Sequence, residues 1–368
     1  MSIISEILVD GFPNKEFVFI ETIQPLWSGY GSLERWACED ASVIVKHIKF
    51  PNTLKHPKGW DSSISHMRKV KSYEVENYWY NHYANRCSAA IPRLLYKYSK
   101  EGAQFIVMDD LNSLGFSKRV YNPSEHQIKA CVSWLAQFHA CFLESSAKGL
   151  WEIGTYWNLE TRPEELANMV EGNLKDNAFI IDNKLNNCKF QTIVHGDAKL
   201  ENFCFSENDK VAAVDFQYVG RGCGMKDLIY FISSIDGLDT REIHDELLNF
   251  YFKKLAHFLG GRNTELEHEW RRHYKYAWAD FNRFLKGWSP GHWKLNSYVE
   301  EITKEVLQEL IEEKKMLLEV VEVFKKSAVE AGDYIESRLN DVLKIDYKKG
   351  NLSLASSIVT DVDLKAQE

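Results

Sequence analysis

The apolar positions along this chain change character after about residue 110. Up to about residue 110 they fall in short β-branched and aromatic stretches. Glu21 to Gly29, Leu33 to Ala37 and Ser42 to Phe50 predict three strands, and Leu94 to Tyr98 with Phe105 to Met108 predict two more, parted at Lys100-Glu101-Gly102. Ser65 to Arg86 interrupts them as a helix crowded with aromatics, among them Tyr73, Trp79, Tyr80 and Tyr83. After Asp109-Asp110 the spacing becomes three and four. Ser124 opens a helix whose Ile128, Cys131, Val132, Leu135, Phe138 and Phe142 make one buried face, and the rest reads as mainly helical apart from one hairpin near Asp197. A further amphipathic helix begins at Leu317, with Val321, Phe324, Ala328, Ala331, Ile335 and Val342 in register. The expected fold class is α+β and bilobal: a small antiparallel-sheet lobe over 1–110, a mainly helical lobe over 111–315, and a helical extension over 316–368.

Composition narrows the function more than the fold. A chain of 368 residues has room for two lobes around a large core. Its formal charge of -8 argues against a nucleic-acid surface, which needs clustered Lys and Arg. Seven cysteines are scattered without a Cys-x-x-Cys pair, so neither a disulfide framework nor a zinc site is expected. No apolar run approaches the roughly 18 residues of a membrane span, and the N-terminus lacks a charged-then-apolar signal pattern. The expected setting is cytoplasmic.

The candidate chemistry lies in Val194-His195-Gly196-Asp197-Ala198-Lys199-Leu200-Glu201-Asn202, followed by Asp215 at the end of the strand-like Val211-Ala212-Ala213-Val214. An Asp, an Asn five residues later and then a strand-borne Asp is the order that phosphoryl transfer from ATP requires. Asp197 is placed to orient the attacking hydroxyl or accept its proton, while Asn202 and Asp215 offer oxygen ligands suited to magnesium. Lys199 either reaches the γ-phosphate or faces solvent. His195 is expected to bond to backbone and shape the loop rather than act as the base.

Upstream, Val43-Ile44-Val45-Lys46 ends a β-branched run in a lysine able to meet the α- and β-phosphates. Its ionic partner is expected on the Ser65 to Arg86 helix. Glu74 and Glu76 project in different directions, and Glu76 is favoured because Trp79 and Tyr80 follow on its side. Gly29 and Gly31, in Ser28-Gly29-Tyr30-Gly31-Ser32, either admit phosphates to the backbone or form a plain hairpin turn. Met108 and Asp109 mark the hinge between lobes, where adenine would bond to backbone; Asp109 and Asp110 are equally suited to capping the turn.

Only seven residues separate Gln217 from Met225, so the long peptide-binding segment of protein kinases is absent. Val194 to Asn202, followed by Val214-Asp215-Phe216-Gln217 and Asp227-Leu228, resembles the aminoglycoside phosphotransferase and choline kinase-like superfamily, and its ecdysteroid kinase-like branch most closely. The resemblance covers about residues 15 to 310. It implies a bilobal protein-kinase-like fold, ATP, magnesium and a small-molecule hydroxyl acceptor. Asp227 is expected at a helix start, with a second role in bracing the catalytic loop. For the acceptor, Trp278-Ala279-Asp280-Phe281 and Trp288 to Lys294 offer an aromatic wall suited to an alicyclic, sugar-like or quaternary ammonium group. Asp280 and Trp288 are the substrate-contacting candidates there.

The last fifty residues carry a second resemblance. Ala331-Gly332-Asp333 on a helix, then Ser357-Ile358-Val359-Thr360-Asp361-Val362-Asp363, is similar to the opening of inositol monophosphatase-type enzymes. The later acidic clusters of that family are missing, so a phosphatase is not expected. This segment reads as an incomplete phosphatase-like opening whose apolar face packs on the kinase lobe or supports self-association. The alternatives are a catalytically weak nucleotide-binding regulatory module or the kinase half of a kinase-phosphatase fusion.

Overall fold

The computed structural model describes residues 2–26, 29–39, 41–50, 63–100, 102–338, 345–347 and 358–360. The chain divides into two compact units, Met1–Val306 and Leu307–Glu368. Within the first, a strand-rich lobe precedes a helical one, giving the α+β class.

The first lobe begins with α1 (Ile3–Gly11), which the strand pattern hid. Ser2 caps it by accepting the Ser5 N–H, and Ile4, Ile7 and Leu8 share one face, as their spacing requires. That face packs with Trp36, Val43, Val45 and Phe105 on one side of the sheet. The sheet contains β1 (Val18–Pro25), β2 (Gly31–Cys38), β3 (Ala41–Lys49), β4 (Leu94–Lys100) and β5 (Ala103–Asp109), in the antiparallel order β1-β2-β3-β5-β4. The first strand thus runs earlier than Glu21 to Gly29 and ends at Pro25. Between β3 and β4 lies α2 (Ser63–His82), which buries Tyr73, Trp79 and Tyr80.

The helical lobe opens with α3 (Glu125–Cys141), started by a capping box in which Ser124 and Gln127 satisfy each other's backbone donors. The Ile128, Cys131, Val132, Leu135 and Phe138 stripe is buried. Three short helices follow, α4 (Pro163–Asn168), α5 (Asn173–Asp176) and α6 (Ala178–Asn186). Two small antiparallel pairs then carry the segment from Val194 to Asp215. The strand β6 (Thr192–Val194) pairs with β9 (Gly220–Gly222), and β7 (Phe203–Phe205) forms a hairpin with β8 (Val211–Ala213). The helices α7 (Met225–Ser233), α8 (Arg241–Phe258) and α9 (Thr264–Trp288) complete the lobe. Every residue of α7 is buried, so it forms the central post of this lobe.

The last helix, α10 (Ser297–Ser337), starts twenty residues before the predicted Leu317 and crosses from the first unit into the second. Its first turns bury Tyr298, Val299, Ile302 and Val306, whereas Leu317, Val321, Phe324 and Ile335 are exposed. Two short strands, β10 (Ile345–Tyr347) and β11 (Ile358–Thr360), pair antiparallel in the tail. Val342, Lys349-Gly350, Ser357 and Asp361 to Leu364 lie outside the described residues, as does Ser28 of the glycine turn. No described helix is long and apolar enough to cross a membrane.

One buried histidine in the helical lobe sets an acid limit on the fold. His244 of α8 contacts the Tyr274 hydroxyl at 2.6 Å and Leu238 O at 2.9 Å, and stacks on Tyr298 at 3.8 Å. Burial holds its imidazole down to about 4. Its unfolded value is near 6.5, so the stability it contributes is whole above that pH. It is lost as pH falls through the window to 4, up to roughly 3 kcal/mol. Thermal melts of the wild type and His244→Gln between pH 7 and 4 should therefore converge toward the acid end. Parallel curves would contradict this assignment.

Candidate active site

The loop from His195 to Asn202, the candidate catalytic loop, is shaped by what surrounds it. Gly196 sits at φ 80°, and a Cβ there would stand 2.1 Å from Tyr218 O, so only glycine fits between His195 and Asp197. Asp227, at the start of α7, accepts the N–H groups of His195 (2.5 Å) and Gly196 (2.9 Å) and contacts His139 Nε2 at 3.0 Å. The expected bracing role of Asp227 is thus visible as three short contacts in a fully buried setting. His195 is itself buried; its Nε2 meets Val214 O at 3.0 Å, and its Nδ1 faces the Asp197 N–H at 3.3 Å. Both ring nitrogens are spent on backbone, and burial lowers its pKa, so the ring shapes the loop as a neutral imidazole.

Asp197 opens into a cleft of about 650 Å³ between the two lobes of this unit, a volume usual for small-molecule sites. Burial pushes its carboxyl up to about 6, with Lys199, Tyr230 and Asn202 pulling the other way. A carboxylate held near neutrality is suited to orienting a hydroxyl or taking its proton. Asn202 donates to Asp197 O at 2.7 Å, so its amide oxygen is the atom left to offer a cation. Lys199 lines the same cleft, and its pKa is raised chiefly by Asp197.

Asp215 adopts φ 70°, a left-handed conformation that costs a non-glycine residue energy and is concentrated at functional sites. Its Oδ1 is buried without a hydrogen-bond partner; the Lys46 ammonium is the nearest cation, at 3.8 Å. Burial would raise this carboxyl, but Lys46, Lys69 and Lys199 outweigh it and hold the group below its ordinary value. An ionised, unsatisfied oxygen beside Asn202 fits a hard divalent cation such as magnesium. Among the described residues no group of three acidic, His or Cys side chains gathers to hold a metal, so phosphate or water oxygens would have to complete such a site.

On the sheet side, Lys46 Nζ meets Glu76 Oε2 at 2.6 Å, and both are buried, while Glu74 is exposed. Gly31 lies at φ 128°, where a Cβ would strike His47 O, so the turn brings β2 against β3 at that point. Gly29, at φ 74°, faces open space. At the hinge, Met108 lines the cleft as the penultimate residue of β5. The Asp109 N–H is already engaged by Arg93 O at 3.1 Å and its carboxylate by Arg93 Nε at 2.9 Å, so Asp109 caps the hinge. Asp110 accepts from Asn112 N, Arg35 and Ser42 and does the same.

One substrate candidate is misplaced. Asp280 is buried, but not toward the cleft: Arg283, one helical turn on, donates to it at 2.7 and 2.9 Å, and Trp157 Nε1 donates at 3.1 Å. Its charge is used up inside the core, so Asp280 is a structural group. Trp278 is likewise core. Trp288 does line the cleft, with Phe284, Tyr156, Tyr218 and Tyr230.

Other cleft residues were given no role from the sequence. Tyr230, three residues after Asp227 on α7, lines the cleft, and its hydroxyl lowers the Asp197 pKa. Gln217 accepts from Lys69 Nζ at 2.7 Å and from Ser72 Oγ at 3.4 Å, tying the Asp215 turn to α2. Lys69 lies seven residues before Glu76, two turns away on one helix face, and that spacing could have revealed it.

A model of the ecdysteroid kinase-like family matches residues 155–263, the stretch that contains the catalytic loop, Asp215, Gln217 and Asp227. No curated protein matches the chain at the sequence level. Among solved structures, the chain is similar to choline kinase LicA from Streptococcus pneumoniae, at 12% identity over 84% of this chain and 98% of that one, with a TM-score of 0.46. It is also similar to macrolide 2'-phosphotransferase MphH from Brachybacterium faecium, at 13% identity over 82% and 95%, TM-score 0.46. An aminoglycoside-3'-phosphotransferase of type VIII aligns at 13% identity over 73% and 95%, TM-score 0.42.

Removing the brace should disable the loop. Asp227→Ala leaves two backbone donors and His139 without an acceptor, at a cost of roughly 3 kcal/mol or more. Urea unfolding should show that loss. A variant as stable as the wild type would mean that water replaces the carboxylate and that the brace is dispensable.

Proposed function

We propose that this chain is an ATP- and magnesium-dependent phosphotransferase that moves the γ-phosphate onto a hydroxyl of a small molecule. The observation that carries the reading is the convergence of Asp197, Asn202, Asp215 and the Lys46–Glu76 pair on one cleft. Asp197 orients the acceptor hydroxyl and takes its proton as the new bond forms. Lys46, fixed by Glu76, neutralises charge on the inner phosphates, and Lys199 offsets charge developing at the transferred group. Magnesium held by Asp215 and Asn202 would neutralise phosphate oxygens. Gly29 and Gly31 bring backbone near the phosphates, and the hinge at Met108 receives the base. Tyr156, Tyr230, Phe284 and Trp288 give the acceptor an aromatic wall, which supports a ring-bearing hydroxyl compound.

Asp197→Asn should keep nucleotide affinity and lose turnover by roughly two orders of magnitude or more, because only acceptor orientation and proton removal are lost. Asp215→Ala should instead weaken nucleotide binding in the presence of magnesium and leave the magnesium-free affinity unchanged. Calorimetric titration with and without the metal separates the two. An Asp215→Ala protein with unaltered metal dependence would reject the ligand role.

For the tail we propose self-association, supported by the exposed Leu317, Val321 and Phe324 on α10. Every residue assigned to phosphate handling lies before Asp227. Deleting residues 318–368 should therefore abolish any dimer seen by sedimentation while leaving ATP turnover largely intact. A folded truncation that loses turnover would show that the tail completes the site.

A further inference from the structure

Lys69 occupies a position that the reading above leaves without a task. On α2, Lys69, Tyr73 and Glu76 share one face, and all three line the cleft. Glu76 is spent on Lys46. The Lys69 ammonium donates to the neutral amide oxygen of Gln217 at 2.7 Å and lies 4.7 Å from the centre of the Tyr73 ring. Among the described residues no carboxylate forms an ion pair with it. Yet it stands amid the catalytic charges, since Asp215, Lys46, Glu76 and Asp197 all act on it.

Lys69 is half-buried, and an ammonium drawn part-way out of water costs free energy unless an opposite charge meets it. Here the neighbouring acids have other tasks: Glu76 holds Lys46, Asp215 carries the unsatisfied oxygen suited to a metal, and Asp197 faces the acceptor. The fold nevertheless fixes this lysine. Gln217 accepts from both Lys69 and Ser72, so the turn that carries Asp215 also holds the ammonium in place. A cation fixed in a cleft with no carboxylate in direct ion-pair contact marks where an anionic part of a ligand comes to rest.

We propose that Lys69 is a second phosphate-binding residue, meeting the terminal phosphate of the nucleotide while Lys46 meets the inner two, with Gln217 as its positioning group. Gln217, which holds the ammonium, follows Asp215 by two residues, so Lys69 is fixed beside the group suited to the metal, and the terminal phosphate is assigned to it on that ground. This inference rests on the nucleotide reading of the cleft.

The test is calorimetric titration of the full chain, with magnesium, using ADP and a β,γ-imido analogue of ATP. The wild type should bind both. Lys69→Met should weaken the analogue about tenfold or more while changing ADP by less than about threefold, and Lys69→Arg should recover most of the loss. If Lys69→Met fails to fold by circular dichroism, Lys69→Gln, which can still donate to Gln217, takes its place with the same expectation. Equal affinity of variant and wild type for both nucleotides would make Lys69 a structural link between α2 and the Asp215 turn, and overturn the proposal. Equal weakening of both would assign it to the inner phosphates and overturn it as well. A wild type that binds neither nucleotide would bring down the cleft reading itself, and this inference with it.

Discussion

The Asp227 carboxylate is the constraint on which the site depends. It accepts two consecutive backbone donors of the catalytic loop and joins them to His139 of α3, all out of contact with water. Without that acceptor, the His195 and Gly196 amides would be buried and unsatisfied, and the loop would be driven toward solvent to satisfy them. Because α7 is buried along its whole length, the carboxylate cannot drift. The position of Asp197 is therefore inherited from the packing of the helical lobe.

A second linkage carries that order across to the sheet. Phe216 stacks on Trp79 of α2 at 4.9 Å and approaches His195 at 4.7 Å, so one ring touches both the helix bearing Glu76 and the loop bearing Asp197. Gln217, the next residue, binds Lys69 and Ser72 of the same helix. Asp215, held in its left-handed conformation directly before this pair, is thereby fixed relative to Lys46. Metal-suited oxygen, lysine and helix glutamate are thus linked through one set of contacts, the arrangement that the proposed binding of a chelated triphosphate requires.

What could be read from the sequence follows the range of each interaction. That Asp197, Asn202 and Asp215 come together in one cleft was legible because local spacing sets their positions. Glu76 could be chosen over Glu74 because the burial of Trp79 and Tyr80 fixes which way α2 is turned. Asp280 was misread because Trp157, which holds it, lies 123 residues away in sequence; its pairing with Arg283 at helical spacing was a local sign of the same fact. The contact between Lys69 and Gln217 spans 148 residues and left no local trace beyond helix phase. The α1 helix was masked by the expectation of strands, although Ser2 and the spacing of Ile4, Ile7 and Leu8 signal it.

Hydrogen exchange of the full chain with and without magnesium and ATP tests the central claim, that this cleft holds a magnesium-bound nucleotide. The account predicts slowed exchange around Gly29 to Gly31, along β3 near Lys46, at the hinge after Met108, and from Asp197 to Gln217, each dependent on magnesium. Unchanged exchange in these segments at saturating nucleotide, or slowing confined to the helices α8 and α9, would contradict it.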